Sequence, residues 1–257
     1  MQTDSRPGRR GRGGAKPLLV GVGVGPGDPE LLTLQAIRTL GEVDAVLAPT
    51  TGRDEAGRAE SVVKNALPEL AVERLPFSMT PDTEPGGAVQ RAASRDRAAA
   101  RIVELLDAGM SVAFVTIGDP NLYSTFPWVA EAVQESRPDT EIETVAGICA
   151  FQALAAKSGT VLLDGTESLA LVTALDGTDH VRDALADRSR AVVVYKGGRH
   201  LPAIAQMLES EGRLDGAVIG ERLGLDGERV TSVKEVAHEE VSYLATVIVP
   251  TIHATPT

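Results

Sequence analysis

Two Gly-Asp-Pro triplets, Gly27-Asp28-Pro29 and Gly118-Asp119-Pro120, each follow an apolar run of β type and each precede a stretch of helical character. Glycine allows positive φ and close backbone approach, Asp can cap a helix through its carboxylate, and Pro fits the first helical position, where no N–H is needed. Such a corner presents a carboxylate and backbone groups at a strand's C-terminal end, where open α/β sheets bind ligands. In its plain role Asp119 is an N-cap worth about 1 kcal/mol and Tyr123 a core aromatic. In its functional role Asp119, with adjacent backbone groups, receives a small polar ligand carrying an amine or a ribose.

Other motifs narrow the chemistry. Gly21, Gly23, Gly25 and Gly27 suggest a dinucleotide fingerprint, but the third glycine of G-x-G-x-x-G would fall at Pro26, which lacks the N–H a pyrophosphate needs. No Gly-Lys-Ser/Thr follows, which excludes a P-loop, and no Gly-x-Ser-x-Gly elbow suggests a hydrolase. A third corner, Ala146-Gly-Ile-Cys-Ala-Phe-Gln152, holds the single cysteine, Cys149. With no base or positive charge adjacent in sequence, Cys149 reads as a packing residue whose backbone faces a ligand. His180, His200, His238 and His253 have no ligand spacing, so no metal is indicated.

The elements that must position these corners alternate in the α/β manner. Strands are predicted near 18–24, 44–48, 71–75, 111–116 and 141–145. Leu31, Leu34 and Ile37 predict a helix over 30–41, and Val89, Ala93, Ile102, Leu105 and Leu106 another over 88–108, stopped by Gly109. The stretches 49–57 and 76–87 read as loops. After a helix at 149–157, Ser158–Thr166 reads as a connection, giving a basic tail over 1–16, a first α/β domain over 17–160 and a second over 161–257. The second domain has strands near 168–174, 190–195, 216–221, 228–234 and 242–250, with helices near 179–187 and 199–210. The short Leu223–Gly227 loop predicts an antiparallel hairpin, so the first sheet should be mostly parallel and the second mixed.

At 257 residues and 43% hydrophobic, the chain can bury substantial cores. It contains no apolar run of membrane-spanning length and no leader pattern, and its one cysteine suits a cytoplasmic protein. Five of its 25 basic residues and one of its 36 acidic residues lie in the first 16 positions. The rest of the chain is therefore strongly acidic, which argues against nucleic acid and membrane surfaces as partners.

Three segments in this order, Gly21-Val-Gly-Val-Gly-Pro-Gly-Asp-Pro-Glu-Leu-Leu-Thr-Leu34, Gly118-Asp-Pro-Asn-Leu-Tyr-Ser-Thr-Phe126 and Ala146-Gly-Ile-Cys-Ala-Phe-Gln-Ala153, resemble the tetrapyrrole methylases, the class III S-adenosylmethionine methyltransferases. Pro76-Phe-Ser-Met-Thr-Pro-Asp82, Tyr123-Ser-Thr-Phe126 and Phe151-Gln152 resemble the branch that methylates precorrin-2 at its C-20 bridge carbon. The resemblance spans roughly residues 18–250. It implies two α/β domains, usually in a homodimer, with S-adenosylmethionine in a cleft between domains and the tetrapyrrole beside it.

On matching positions, the resemblance implies donor contacts at Val24, Gly118, Asp119, Leu122, Cys149 and Ala150. In the second domain the matches are Thr173, Lys196, Gly220, Leu244, Ala245 and Thr246. The chain departs from the branch pattern at Ile148-Cys149, where a hydroxyl residue is usual, and at Tyr243-Leu-Ala, where Tyr-Phe-Ser is usual.

Methyl transfer from a sulfonium to an enamine-like carbon rests on alignment and exclusion of water more than on acid–base strength. A modest base suffices to remove the bridge proton, and Asp28 and Tyr123 are the candidates near the reacting carbon. A polycarboxylate substrate on an acidic protein requires local cations, for which Arg53, Arg58, Arg91 and Arg95 are placed near the loops. The alternatives are cobalt-factor II or another tetrapyrrole position as target, a diphthamide or ribosomal RNA methylase, and a nucleotide-binding scaffold. The acidic body disfavours RNA, and the failed glycine spacing disfavours NAD.

Overall fold

The computed structural model describes residues 17–51, 56–78 and 85–251. These described residues divide into two compact units, the first holding those of 17–25 and 29–147 and the second those of 26–28 and 148–251.

The first unit is a five-stranded parallel sheet: β1 (Leu18–Gly23), β2 (Ala45–Thr50), β3 (Glu73–Pro76), β4 (Val112–Thr116) and β5 (Glu141–Val145), in the order β3-β2-β4-β1-β5. Parallel strands need covering on both faces, and β1 and β4 are accordingly buried along nearly their whole length. Helices α3 (Gly87–Asp107) and α4 (Phe126–Ser136) help cover one face, where Phe77, Phe114 and Phe126 pack at ring separations of 6.2 and 6.1 Å. Helices α1 (Leu34–Glu42) and α2 (Arg58–Ala66) cover the other, over Val20, Val22, Ala113 and Val115. Gly21 makes room for the first face, since a Cβ there would sit 2.5 Å from the Phe126 ring.

The second unit holds α5 (Ala150–Ser158), β6 (Ser168–Thr173), α6 (Asp179–Leu185), β7 (Arg190–Tyr195), α7 (Leu201–Ser210), β8 (Val218–Glu221), β9 (Arg229–Ser232) and β10 (Thr246–Val249). Its sheet runs β6-β7-β10-β8-β9, with β6 and β7 parallel and the other pairs antiparallel. The expected β8–β9 hairpin is present. Helices α6 and α7 pack on one face, while α5 packs on the other through Leu154 against Val193, Leu223 and Ile248.

The two expected sheet types are therefore present, with several differences in detail. The division between units falls at Gly147, ahead of α5, whereas the sequence suggests 160, because Leu154 and Ala155 are core residues of the second unit. Helix α1 starts only at Leu34 and buries Ala36 and Leu40, leaving Leu34 84% and Ile37 37% exposed. Val89, expected to face the core, is also exposed. Helix α2 directly follows a stretch read as loop.

Candidate active site

Because β1, β4 and β5 are parallel neighbours, their C-terminal ends release the chain at one edge. Three glycines meet there. A Cβ on Gly23 would lie 2.6 Å from the Gly118 carbonyl oxygen, and one on Gly147 only 2.0 Å from that same oxygen. The first two corners are also stitched by backbone bonds, from Val24 N–H to the Thr116 carbonyl at 3.0 Å and from Gly118 N–H to the Gly25 carbonyl at 2.8 Å. The Val24 side chain is fully buried and its N–H is used internally.

Neither acid of the two triplets caps an α-helix as the sequence suggests. Pro29–Leu31 forms a single 3-10 turn, and α1 is capped instead by Thr33, whose Oγ1 accepts from Ala36 N–H at 3.0 Å. In the second corner α4 starts at Phe126, whose N–H donates to Ser124 Oγ at 3.0 Å.

The Asp119 carboxylate does something else. One oxygen accepts from Asn121 N–H at 2.8 Å, closing the corner on itself, and the other accepts from Gly147 N–H at 3.0 Å. It thereby ties the loop after β4 to the loop after β5. Asn121 adds a second link, donating from Nδ2 to Thr144 Oγ1 at 3.3 Å. A carboxylate has about four lone-pair sites, so Asp119 retains acceptor capacity after these two bonds. Beside it Gly118 has φ +72°, and a Cβ there would meet nothing within 4 Å. The corner therefore leaves open space on the side where a Gly118 side chain would stand. Tyr123, expected as a core aromatic in its plain role, is instead 47% exposed and sits at φ +49°. A left-handed bulky residue costs of order 1–3 kcal/mol and is concentrated at functional sites.

In the second unit Cys149 is the N-cap of α5, in a reciprocal capping box. Its sulfur accepts from Gln152 N–H, and Gln152 Oε1 accepts from Cys149 N–H at 2.9 Å. The sulfur occupies the place where a Ser or Thr hydroxyl normally caps, so the departure from the branch pattern is a weaker cap acceptor. Phe151 N–H donates to Tyr195 Oη at 3.3 Å, and the two rings meet edge to face.

Strand register then sets Thr173, Tyr195, Thr246 and Gly220 in one row across the sheet. By alternation this row shares the α5 face with Val193 and Ile248. Thr246 Oγ1 is buried and has no hydrogen-bond partner among the described residues. Gly220 serves packing, since a Cβ would collide with Leu223 and Leu154 at under 3.0 Å. Ala245 faces the opposite core, leaving only its backbone for a ligand. Lys196, directly after β7, has φ +58°. Tyr195 was not singled out from sequence, although its period-two spacing from Val193 signals the same face.

The tip of the first corner, Pro26–Asp28, belongs to this unit. Its backbone rests on the Leu223–Leu225 turn, where a Cβ on Gly224 would fall 2.1 Å from Asp28 N. Glu228 braces that turn by accepting from Gly224 N–H, and it pairs with Lys157 Nζ at 2.9 Å. Burial raises the Glu228 pKa, but the bonds from Gly224 and Lys157 outweigh it and hold the carboxyl below its ordinary range.

Of the proposed cation clamps, Arg53 lies outside the described residues, Arg58 opens α2, and Arg91 lies on α3 with its guanidinium over the Trp128 ring. Among the described residues, no group of three or more His, Cys, Asp or Glu is placed to hold a metal ion. No described helix is long and apolar enough to cross a membrane.

The tetrapyrrole (corrin/porphyrin) methylase profile matches residues 18–237. The chain belongs to this methyltransferase family. The precorrin-2 C(20)-methyltransferase of Sinorhizobium sp is 32% identical over 90% of this chain and 94% of its own length. The cobalt-precorrin-2 C(20)-methyltransferase of Salmonella typhimurium is 31% identical over 82% of this chain and 86% of its own. Among solved structures, a cobalt precorrin-4 methyltransferase superposes with TM-score 0.65 at 18% identity, covering 91% of this chain and 94% of that one, which shows the shared fold.

For a tetrapyrrole methylase the methyl donor is S-adenosylmethionine. In the first unit, Asp119 has spare acceptor sites of the kind ribose hydroxyls or an amine would use, and Gly118 has open space where a side chain would stand.

Proposed function

We propose that this protein transfers a methyl group from S-adenosylmethionine to the C-20 bridge carbon of precorrin-2, a step of cobalamin biosynthesis. The single observation that carries this reading is the intact Asp119 clamp, set in a chain about one third identical to a C(20)-methyltransferase over nearly its whole length. The donor supplies an electrophilic methyl and leaves as a neutral thioether. The protein's task is therefore alignment. Asp119, Gly118 and Leu122 hold the donor from the first unit together with the buried backbone of Val24. Cys149, Ala150, Thr173, Lys196, Gly220 and Leu244 to Thr246 are assigned to the same ligand on the family resemblance.

Asp28 and Tyr123 are assigned to the reacting carbon, with the Asp28 carboxylate accepting the bridge proton after the new carbon–carbon bond has formed. Arg53, Arg58 and Arg91 are assigned to substrate carboxylates. We place the protein in the cytoplasm, as a homodimer without nucleic-acid partners. Exposed Leu34 and Ile37 supply apolar surface for a dimer, and sedimentation at the monomer mass would refute that part.

A second reading, with a cobalt-containing substrate, is favoured by the comparable identity of the Salmonella relative. Incubating the protein with precorrin-2 and with cobalt-precorrin-2 in parallel, each with methyl-labelled donor, separates the two. Carbon NMR of the products is expected to show one labelled methyl at C-20 from the preferred substrate. Label at another carbon, or none with either substrate, overturns the proposal.

A further inference from the structure

In a chain with 25 basic against 36 acidic residues, the first turns of α3 reverse the balance, with Arg91, Arg95 and Arg97 against Asp96 alone over 87–97. The geometry points to a specific use of two of them. The guanidinium carbons of Arg91 and Arg95 lie 5.6 and 5.2 Å from the centre of one ring, that of Trp128. Trp128 is the only tryptophan in the sequence. Guanidinium groups stacked on an aromatic face lose rotamer freedom and keep their in-plane N–H donors directed outward, which suits them to carboxylates. Asp96 accepts from Arg95 Nε at 2.9 Å, which helps fix that guanidinium group in place.

Topology places this stack on the edge where the glycine corners meet. Trp128 is in the first turn of α4, and Arg91 and Arg95 flank Ser94, whose Oγ accepts from Ser78 N–H just beyond the C-terminal end of β3. Two exposed apolar residues, Val89 and Tyr123, belong to the segments at this same edge. A cationic stack beside apolar surface matches a ligand with a flat apolar body and a rim of carboxylates.

We propose that the Arg91–Trp128–Arg95 stack grips peripheral carboxylates of the tetrapyrrole, with Trp128 as a positioning residue that holds both guanidinium groups. This rests on the methyltransferase reading above and deepens it. The test compares the parent protein with R91Q/R95Q, W128L and W128F in methyl transfer to precorrin-2, and measures S-adenosylhomocysteine affinity by calorimetry. Removing the charge-assisted hydrogen bonds should raise KM for the tetrapyrrole at least about tenfold in R91Q/R95Q. W128L should follow in KM, W128F should recover most of the loss through its remaining aromatic face, and kcat at saturation and S-adenosylhomocysteine affinity should stay within about twofold of the parent. A KM unchanged in R91Q/R95Q while the parent methylates precorrin-2 overturns the stack and leaves the methyltransferase reading standing. A parent that transfers no methyl overturns that reading, and this proposal with it.

Discussion

Asp119 bonds backbone N–H groups on two loops that are distant in sequence, so its removal affects more than one contact. In D119N the amide can still accept from Asn121, but its NH2 then faces the Gly147 N–H, donor against donor. Hydrogen bonds to a charged group contribute about 1.5–3 kcal/mol, so S-adenosylhomocysteine affinity should fall at least about tenfold in D119N, with a modest loss of thermal stability. Calorimetry reads the first and a melting curve the second; undiminished affinity in a folded variant would remove Asp119 from the donor site. At this scale the sequence exposes the right residues for partly wrong reasons. The glycines of the corners are visible as a cluster, yet Gly23 and Gly147 are glycines because three backbones touch, a contact between distant segments that no local pattern reports. Asp119 is visible as an acid in a corner, but its partner Gly147 is not.

Local context also decides the elements. The 3-10 turn at Pro29–Leu31 ends before Thr33, whose extended backbone starts α1 afresh, so the helix is not continuous with Leu31 and its buried stripe becomes Ala36 and Leu40 rather than Leu34 and Ile37. Long central strands survive such shifts because both faces are apolar, which is why β1, β4 and β7 were legible within a residue or so. The β8–β9 turn shows an element held by charge. Glu228 has a folded pKa below its ordinary value of 4.5, so its stabilisation is present above that value and is lost as pH falls through the lower folded pKa. E228Q should therefore melt below the parent at neutral pH, with the gap closing in acid below about 4.5 as the parent's own carboxylate protonates. Thermal melts from neutral pH down to about pH 3 test this, and a gap constant across that range would assign the loss to packing.

At the scale of the molecule, each unit carries its own apolar interior, the first on both faces of a parallel sheet and the second on both faces of a mixed one. Alternation of strand and helix makes that two-unit plan legible. The point of division is less so, because α5 lies next to the last corner in sequence and takes its packing partners from the second sheet. Separate cores predict separable stability. Phe114 is fully buried in the first unit, between Phe77 and Phe126. Truncating a buried phenylalanine to alanine costs about 3–5 kcal/mol, since the cavity is only partly refilled. In F114A, hydrogen exchange of the β1, β2 and β4 amides should accelerate by that free energy, whereas the β7 and β10 amides should keep the parent's protection. The Asp119–Gly147 bond lies within the destabilised unit, so donor affinity should weaken in F114A as well. Equal acceleration in both sheets would show that the two interiors unfold as one cooperative body, and the loss of affinity would then reflect global unfolding rather than loosening of the edge that carries the corners.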